Sequence, residues 1–208
     1  MLLFLDVISP LPEFCVIDDN KVILQEKIIK NEKDRLSDNI IQCYIQIDKR
    51  LNLTKNLKKI STTIGPGSYT SLRVGSAFIS GLMISRKIPY YPLSIEDIFN
   101  FNSKKSSKNN LGVFVTSSNN QKFLCYKNKD NGMEYNKIEN NKYSVPKHIE
   151  LILFNKTEIN ENNKLEQIHF SFFEEFYKNY NNLNFKKNII INPIYISNNQ
   201  LLNWTILI

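Results

Sequence analysis

ISTTIGPGSYTSLRVGSAFISGLMISRKIP, residues 60–89, packs a strand, a turn and a helix into one run. Ile60 to Ile64 is β-branched and reads as a buried strand. Gly65-Pro66-Gly67 forces a turn, since glycine reaches φ > 0 at little cost and proline presets φ. Ser68 or Thr70 then caps a helix that runs to about Arg86 and stops at Lys87 to Pro89. Its circumference is unusual. Leu72, Ser76, Ile79 and Met83 share one side, while Val74, Phe78, Gly81 and Leu82 share another, and between residues 69 and 86 only Arg73 and Arg86 are charged. A surface helix normally carries one apolar stripe; this one has apolar surface for its own sheet and for something else.

Outward from this helix the pattern is alternating α/β. Upstream, Leu2 to Val7, Phe14 to Ile17 and Val22 to Ile29 read as strands, the last two joined by a turn at Asp18-Asp19-Asn20. Leu36, Ile40, Tyr44, Ile47 and Leu51 recur at helical spacing, with Asp34 as the expected cap. Downstream come a strand over Ile88 to Leu93 and a short helix over Ser94 to Phe101. Three antiparallel strands, a helix, a strand, a helix and a strand make a lobe whose last two strands pair in parallel through helical crossovers.

The polar run NSKKSSKNN, residues 102–110, marks a boundary. The expected division is therefore a first lobe over residues 1–101 and a smaller one over 102–208. In the second, Gly112 to Thr116 and Lys122 to Tyr126 read as a hairpin and Tyr135 to Ile138 as a third strand. Val145 to Ile152 reads as a weak helix, Leu151 to Phe154 as a strand, Phe170 to Tyr180 as a helix, and Ile189 to Ile196 as a last strand.

The chain has 208 residues, 42% hydrophobic and 23% charged, as in an ordinary globular protein. Its net charge of +7 comes mostly from lysines scattered through an Asn- and Ile-rich background. That leaves an RNA-binding module in view, without an arginine–aromatic platform to strengthen it. Cys15, Cys43 and Cys125 are odd in number and far apart, which points to a reducing, cytoplasmic setting. No run has the roughly 20 apolar residues of a membrane helix, so no membrane is expected.

Candidate chemistry is sparse. Gly65, Gly67 and Ser68, at a helix start, could present N–H groups to a phosphate, and Asp6 could hold a magnesium-bound water. The spacing is not that of a P-loop and no lysine follows the turn. His148 and His169 are the only histidines and lie far apart, so no zinc set is expected. Beyond Gly81 only Gly112 and Gly132 remain, whereas a two-lobed ATPase needs glycine-rich phosphate hairpins in both halves. The chain reads as half of a catalytic apparatus.

The run from Gly65 to Gly75, with Ser80-Gly81-Leu82 and Ile88-Pro89, resembles the TsaB family, the dimerization subunits of the bacterial tRNA threonylcarbamoyladenosine complex. Leu3 to Asp6, Ser94-Ile95-Glu96, and Pro193 to Ile196 with Trp204 resemble its first strand, its helix after the fifth strand and its C-terminal signature. The likeness is good over residues 1–101 and faint over 102–208. It implies an actin-like (ASKHA) fold of two ribonuclease-H-like lobes with the second reduced, and no chemistry by the chain alone. It also implies a TsaD-type transferase partner, a TsaE-type ATPase subunit, and tRNA reached through the complex.

By resemblance the partner interface is a helical bundle made by Leu36, Ile40, Tyr44, Tyr69, Leu72, Arg73, Ser76, Ile79, Ser80 and Met83, with Gly75 among the small residues allowing close approach. A homodimer in the partner's absence and a nucleotide at the subunit junction are left open, with no other cofactor expected. The alternative is an actin-like ATPase or sugar kinase acting on its own. The sequence departs from the family pattern at Asp6-Val7-Ile8-Ser9, at Asp34 to Asp38 where a histidine is usual, at Ser117 to Asn120, and at Ser197 in place of arginine. These departures weigh against nucleotide or tRNA contacts by the second lobe and leave the helices untouched.

Overall fold

Strand β1 (Leu2–Asp6) is buried along its whole length because it lies in the middle of a sheet covered on both faces. The computed structural model describes residues 1–31, 34–105, 110–139, 144–156, 165–187, 190–197 and 200–203. β1 pairs antiparallel with β2 (Glu13–Asp18), and β2 with β3 (Lys21–Lys27). Helix α1 (Leu36–Leu51) and the single turn α2 (Leu53–Asn56) cross back to β4 (Lys59–Thr63), which lies parallel to β1. Helix α3 (Tyr69–Arg86) crosses to β5 (Tyr90–Leu93), parallel to β4. The sheet order is β3-β2-β1-β4-β5, and β4 and β5 pair in parallel through a helical crossover as the strand and helix pattern required.

A second sheet repeats it. β6 (Leu111–Thr116), β7 (Lys122–Lys127) and β8 (Met133–Ile138) form a meander, and β9 (Leu151–Phe154) and β10 (Glu166–His169) add in parallel on the other side of β6. The order β8-β7-β6-β9-β10 matches the first sheet strand for strand. The molecule is an actin-like α/β protein of two ribonuclease-H-like lobes. The second lobe is reduced at its crossovers: residues 139–150 and 155–165 stand where the first lobe uses 28–58 and 64–89. The weak helix expected from Val145 to Ile152 is absent. Residues 144–150 are turn and coil ahead of β9, because Pro146 removes a helix donor and the stretch is too short for a packed helix.

The lobes do not divide the chain cleanly at 101/102. Helix α4 (Ile95–Asn102), closed by a Ser94–Asp97 capping box, contacts β6 of the second sheet, and α5 (Phe172–Asn179) contacts β1 of the first. Phe4 shows why: its ring stacks on Phe176 at 4.6 Å and meets Phe173 at 5.6 Å. On the opposite face, Phe14 meets Tyr44 of α1 and Phe78 of α3. The first sheet is thus sandwiched between α1–α3 and α5, its core rings each contributing about 2–3 kcal/mol of burial. Asn102 fastens the exchange by donating to Glu175 at 3.1 Å.

The C-terminal segment stays with the first lobe. Lys186 exchanges backbone hydrogen bonds with Tyr90, and Ile194 donates to the Ile64 carbonyl at 2.6 Å. The expected strand over Ile189 to Ile196 is β11 (Ile194–Ser197), paired with β12 (Gln200–Asn203) as a separate hairpin. Ile189 and Trp204 lie outside the described residues. Asp34 does not cap α1: Arg35 is the N-cap, while Asp34 accepts from the backbone N–H groups of Lys30 and Asn31. Ser68 caps α3, its Oγ accepting from the Ser71 N–H. No helix among the described residues is long and apolar enough to cross a membrane.

Candidate functional site

The turn Gly65-Pro66-Gly67-Ser68 is buried at all four residues. Gly65 has φ +119°, and a Cβ there would stand 2.5 Å from the Ile194 carbonyl oxygen. A Cβ on Gly67 would lie 3.3 Å from Ile8. The glycines therefore admit the chain's own β1–β2 loop and C-terminal hairpin.

Asp6 is committed to the same junction. Its Oδ1 accepts from the Ile8 N–H (2.9 Å), the Ser9 N–H (3.3 Å) and the Thr63 hydroxyl (3.1 Å), and Thr63 in turn accepts from the Val7 N–H. Burial raises the Asp6 carboxyl above its ordinary value, outweighing the Ser9 and Ile8 hydrogen bonds that lower it. Asp6 thus ties the end of β1 to the end of β4. The nucleotide set Asp6, Gly65, Gly67 and Ser68 comes together in space, as a closed structural knot.

The open space lies beside it, between the lobes. Two cavities of about 350 and 430 Å3 share Pro10, Leu11 and Lys156. The first also reaches His169 and the buried Glu13, which pairs with Lys27 at 2.6 Å. A third, of about 390 Å3, lies at the starts of α1 and α3 and includes Asp34, Arg35 and Ser118. There the β6–β7 turn touches the first lobe, Ser118 Oγ standing 2.8 Å from Ser71 Oγ. Among the described residues no group of three His, Cys, Asp or Glu side chains is placed to hold a metal.

Helix α3 separates its faces sharply. Leu72, Ser76, Ile79, Ser80 and Met83 are buried against the lobe, as are Leu36, Ile40 and Tyr44 of α1. Eight of the ten residues expected at a partner surface are therefore core residues of this chain. Their apolar spacing marks the inward stripe, which the sheet claims first. Gly75 faces inward too: a Cβ there would lie 2.5 Å from Val7 Cγ1, so its smallness lets α3 approach the β1–β2 loop. Only Tyr69 and Arg73 are exposed, Tyr69 packing its ring 4.9 Å from Tyr195 and Arg73 sitting 5.3 Å from the Tyr69 ring.

Past Arg73 the outward face of α3 is nevertheless not polar. Ala77, Gly81 and Ile84 are exposed, Ile84 at 63%, and half-buried Val74 and Phe78 flank them. Phe78 meets Tyr44 edge-on at 5.2 Å, which sets α1 alongside. On α1, Ile41 and Ile45 are exposed at 51% and 39%, and helical geometry places them next to Tyr44. A Cβ on Gly81 would meet nothing within 4 Å. Ile41, Ile45 and Ile84 escaped sequence reasoning because they sit off the dominant stripes; their signal was an isoleucine at a position where helices normally place a charge.

The family model for TsaD, tRNA N6-adenosine threonylcarbamoyltransferase, matches residues 23–189. No curated protein matches the sequence. Among solved structures, the chain is similar to YeaZ from Pseudomonas aeruginosa (14% identity, 73% of this chain and 74% of that one, TM-score 0.46). It is similarly related to an uncharacterized protein with similarity to peptidase YEAZ from Pseudomonas aeruginosa (15% identity, 74% of each chain, TM-score 0.45). With the family model covering most of its length, the chain belongs to the TsaD, tRNA N6-adenosine threonylcarbamoyltransferase, family.

Proposed function

We propose that this chain is a TsaB-type subunit of the tRNA threonylcarbamoyladenosine apparatus, without transfer chemistry of its own. Its role is to bind and stabilise a TsaD-type transferase through the outer face of α1 and α3. The observation that carries this reading is the row Ala77, Gly81 and Ile84, beside Ile41 and Ile45: small and apolar where a solvated helix would be charged. Gly81 leaves room for another helix backbone to approach, and the isoleucines supply apolar anchors around it. The turn at Gly65 to Ser68 supports the non-catalytic part, since Ile194 and Ile8 pack against its two glycines. A TsaE-type ATPase subunit and tRNA then meet the assembly rather than the isolated chain.

The test is co-elution of the purified chain with its cognate transferase, repeated with Ile84→Asp. Desolvating a carboxylate and losing the isoleucine contact should cost about 2–4 kcal/mol of affinity, roughly 30- to 1,000-fold in Kd. A chain that turns over ATP unaided and ignores the transferase would be an actin-like ATPase instead.

A further inference from the structure

Helix α3 carries two arginines, and they stand differently. Arg86, in the last turn, offsets the negative end of the helix dipole and donates to the Lys55 carbonyl at 3.2 Å. Arg73 stands one turn in from the opposite, positive end, and the first turn holds no acidic residue to accompany it. A cation there gains nothing from the helix. No carboxylate lies within ion-pair distance of Arg73 among the described residues.

The side chain is nevertheless held in place. The Arg73 guanidinium lies 5.3 Å from the centre of the Tyr69 ring, and Tyr69, 46% exposed, packs its own ring 4.9 Å from that of Tyr195. Tyr195 is buried and belongs to β11, so the C-terminal hairpin braces the stack. A stacked guanidinium has already lost part of its rotamer freedom, while its planar fork stays open to a carboxylate. Arg73 is also the only charge on the exposed side of α3 ahead of Arg86, with Ala77, Gly81 and Ile84 following it.

We infer that Arg73 orients the docked partner by pairing with a carboxylate that the partner presents at the Tyr69 end of an otherwise apolar contact. Resting on the reading of α1 and α3 as the transferase-binding face, the pairing specifies an acid on the partner and the end of α3 at which it lies. Apolar rows can slide past one another at little cost, whereas a charge pair at one end admits a single register.

The experiment is titration of the full chain with its cognate transferase at about 50 and about 500 mM KCl, for the unsubstituted chain, Arg73→Glu and Lys147→Glu. Lys147→Glu, an equal charge reversal at an exposed site on the second lobe, should bind within about twofold of the original. Arg73→Glu should weaken binding about 30-fold or more at the lower salt. That difference should shrink severalfold at the higher salt, because screening relieves charge repulsion and leaves a packing defect untouched. A glutamate near the start of α3 suits the dipole, so the urea midpoint of the variant should not fall. In the Arg73→Lys chain a carbodiimide should couple the side-chain amine to a partner carboxylate, and peptide mass mapping should find the link at position 73. A loss no larger than that of Lys147→Glu, a loss equal at both salts, or no link at position 73 would overturn the pairing and leave the docking face standing. A dimer of the chain alone that Arg73→Glu abolishes, with transferase binding untouched, would assign the carboxylate to a second copy and overturn it too. No binding by the unsubstituted chain would remove both readings.

Discussion

Replacing Gly81 by alanine should act in opposite directions on the isolated chain and on its complex. Gly81 is exposed in the interior of α3, and an added Cβ would meet no atom within 4 Å. Alanine there removes the backbone-entropy cost of a helical glycine, worth about 0.5–1 kcal/mol, which for a chain of this length raises Tm by about 1–4 °C. In the complex the same methyl group stands where a partner helix would pack, and overpacking costs about 1–3 kcal/mol, a 5- to 150-fold loss in affinity. Gly75→Ala is the internal control. It gains the same helix propensity, but its Cβ would fall 2.5 Å from Val7 Cγ1, and Val7 is only 1% exposed and cannot move aside freely. A 1–3 kcal/mol packing penalty then leaves a net loss of about 0–2.5 kcal/mol in the monomer. Urea unfolding of both variants and calorimetric titration with the transferase read these quantities. A Gly81→Ala chain that is more stable yet binds undiminished would refute the outer-face argument, and a Gly75→Ala chain as stable as Gly81→Ala would refute the packing of α3 on Val7.

Four further outcomes follow from the core and its titratable groups. Asp6→Ala should destabilise by about 1–3 kcal/mol for each donor left unpaired at Ile8, Ser9 or Thr63, measured by urea midpoint. Because Asp6 has a raised folded-state pKa, it is easier to keep protonated folded than unfolded, so its ionisation lowers stability as pH rises from about 4 toward that folded value; Asp6→Asn should flatten this slope. Phe4→Ala should cost about 3–5 kcal/mol and loosen α5 first, visible as early hydrogen exchange at residues 172–179, because Phe4 carries the stacking contacts to Phe173 and Phe176. The Cys43 thiol, half-buried and pushed up to about 11, should alkylate slowly at pH 8 and accelerate above pH 10, while buried Cys15 and Cys125 stay protected until unfolding.

The first lobe was legible because its signals are redundant. Leu2 to Asp6 is continuously apolar, as a central strand must be, and the turn at Asp18-Asp19-Asn20 and the helix from Tyr69 to Arg86 carry local punctuation that packing did not override. The second lobe was read less well where length, not pattern, decided: the stretch before Leu151 has apolar residues at Val145 and Ile149 but no room for a packed helix. The return of Phe172 to Asn179 onto β1 was invisible, since a sheet's second face is covered by whichever helix the topology delivers. The site was half legible. Apolar spacing identified which helices matter but pointed to their inward stripes; Ile79 and Met83, expected at the partner, lie in the core. Burial decides between two apolar stripes on one helix, and burial is a property of the fold.

The most direct test of the central claim is the mass of the species formed when the chain and its cognate transferase are mixed, measured by light scattering after gel filtration, with Ile84→Asp in parallel. The account predicts a stable heteromer for the unsubstituted chain. For the variant it predicts a loss of that heteromer, with an unfolding midpoint within about 0.5 kcal/mol of the original, because Ile84 is 63% exposed in the chain alone. A heteromer that forms equally well with the Ile84→Asp chain would contradict it.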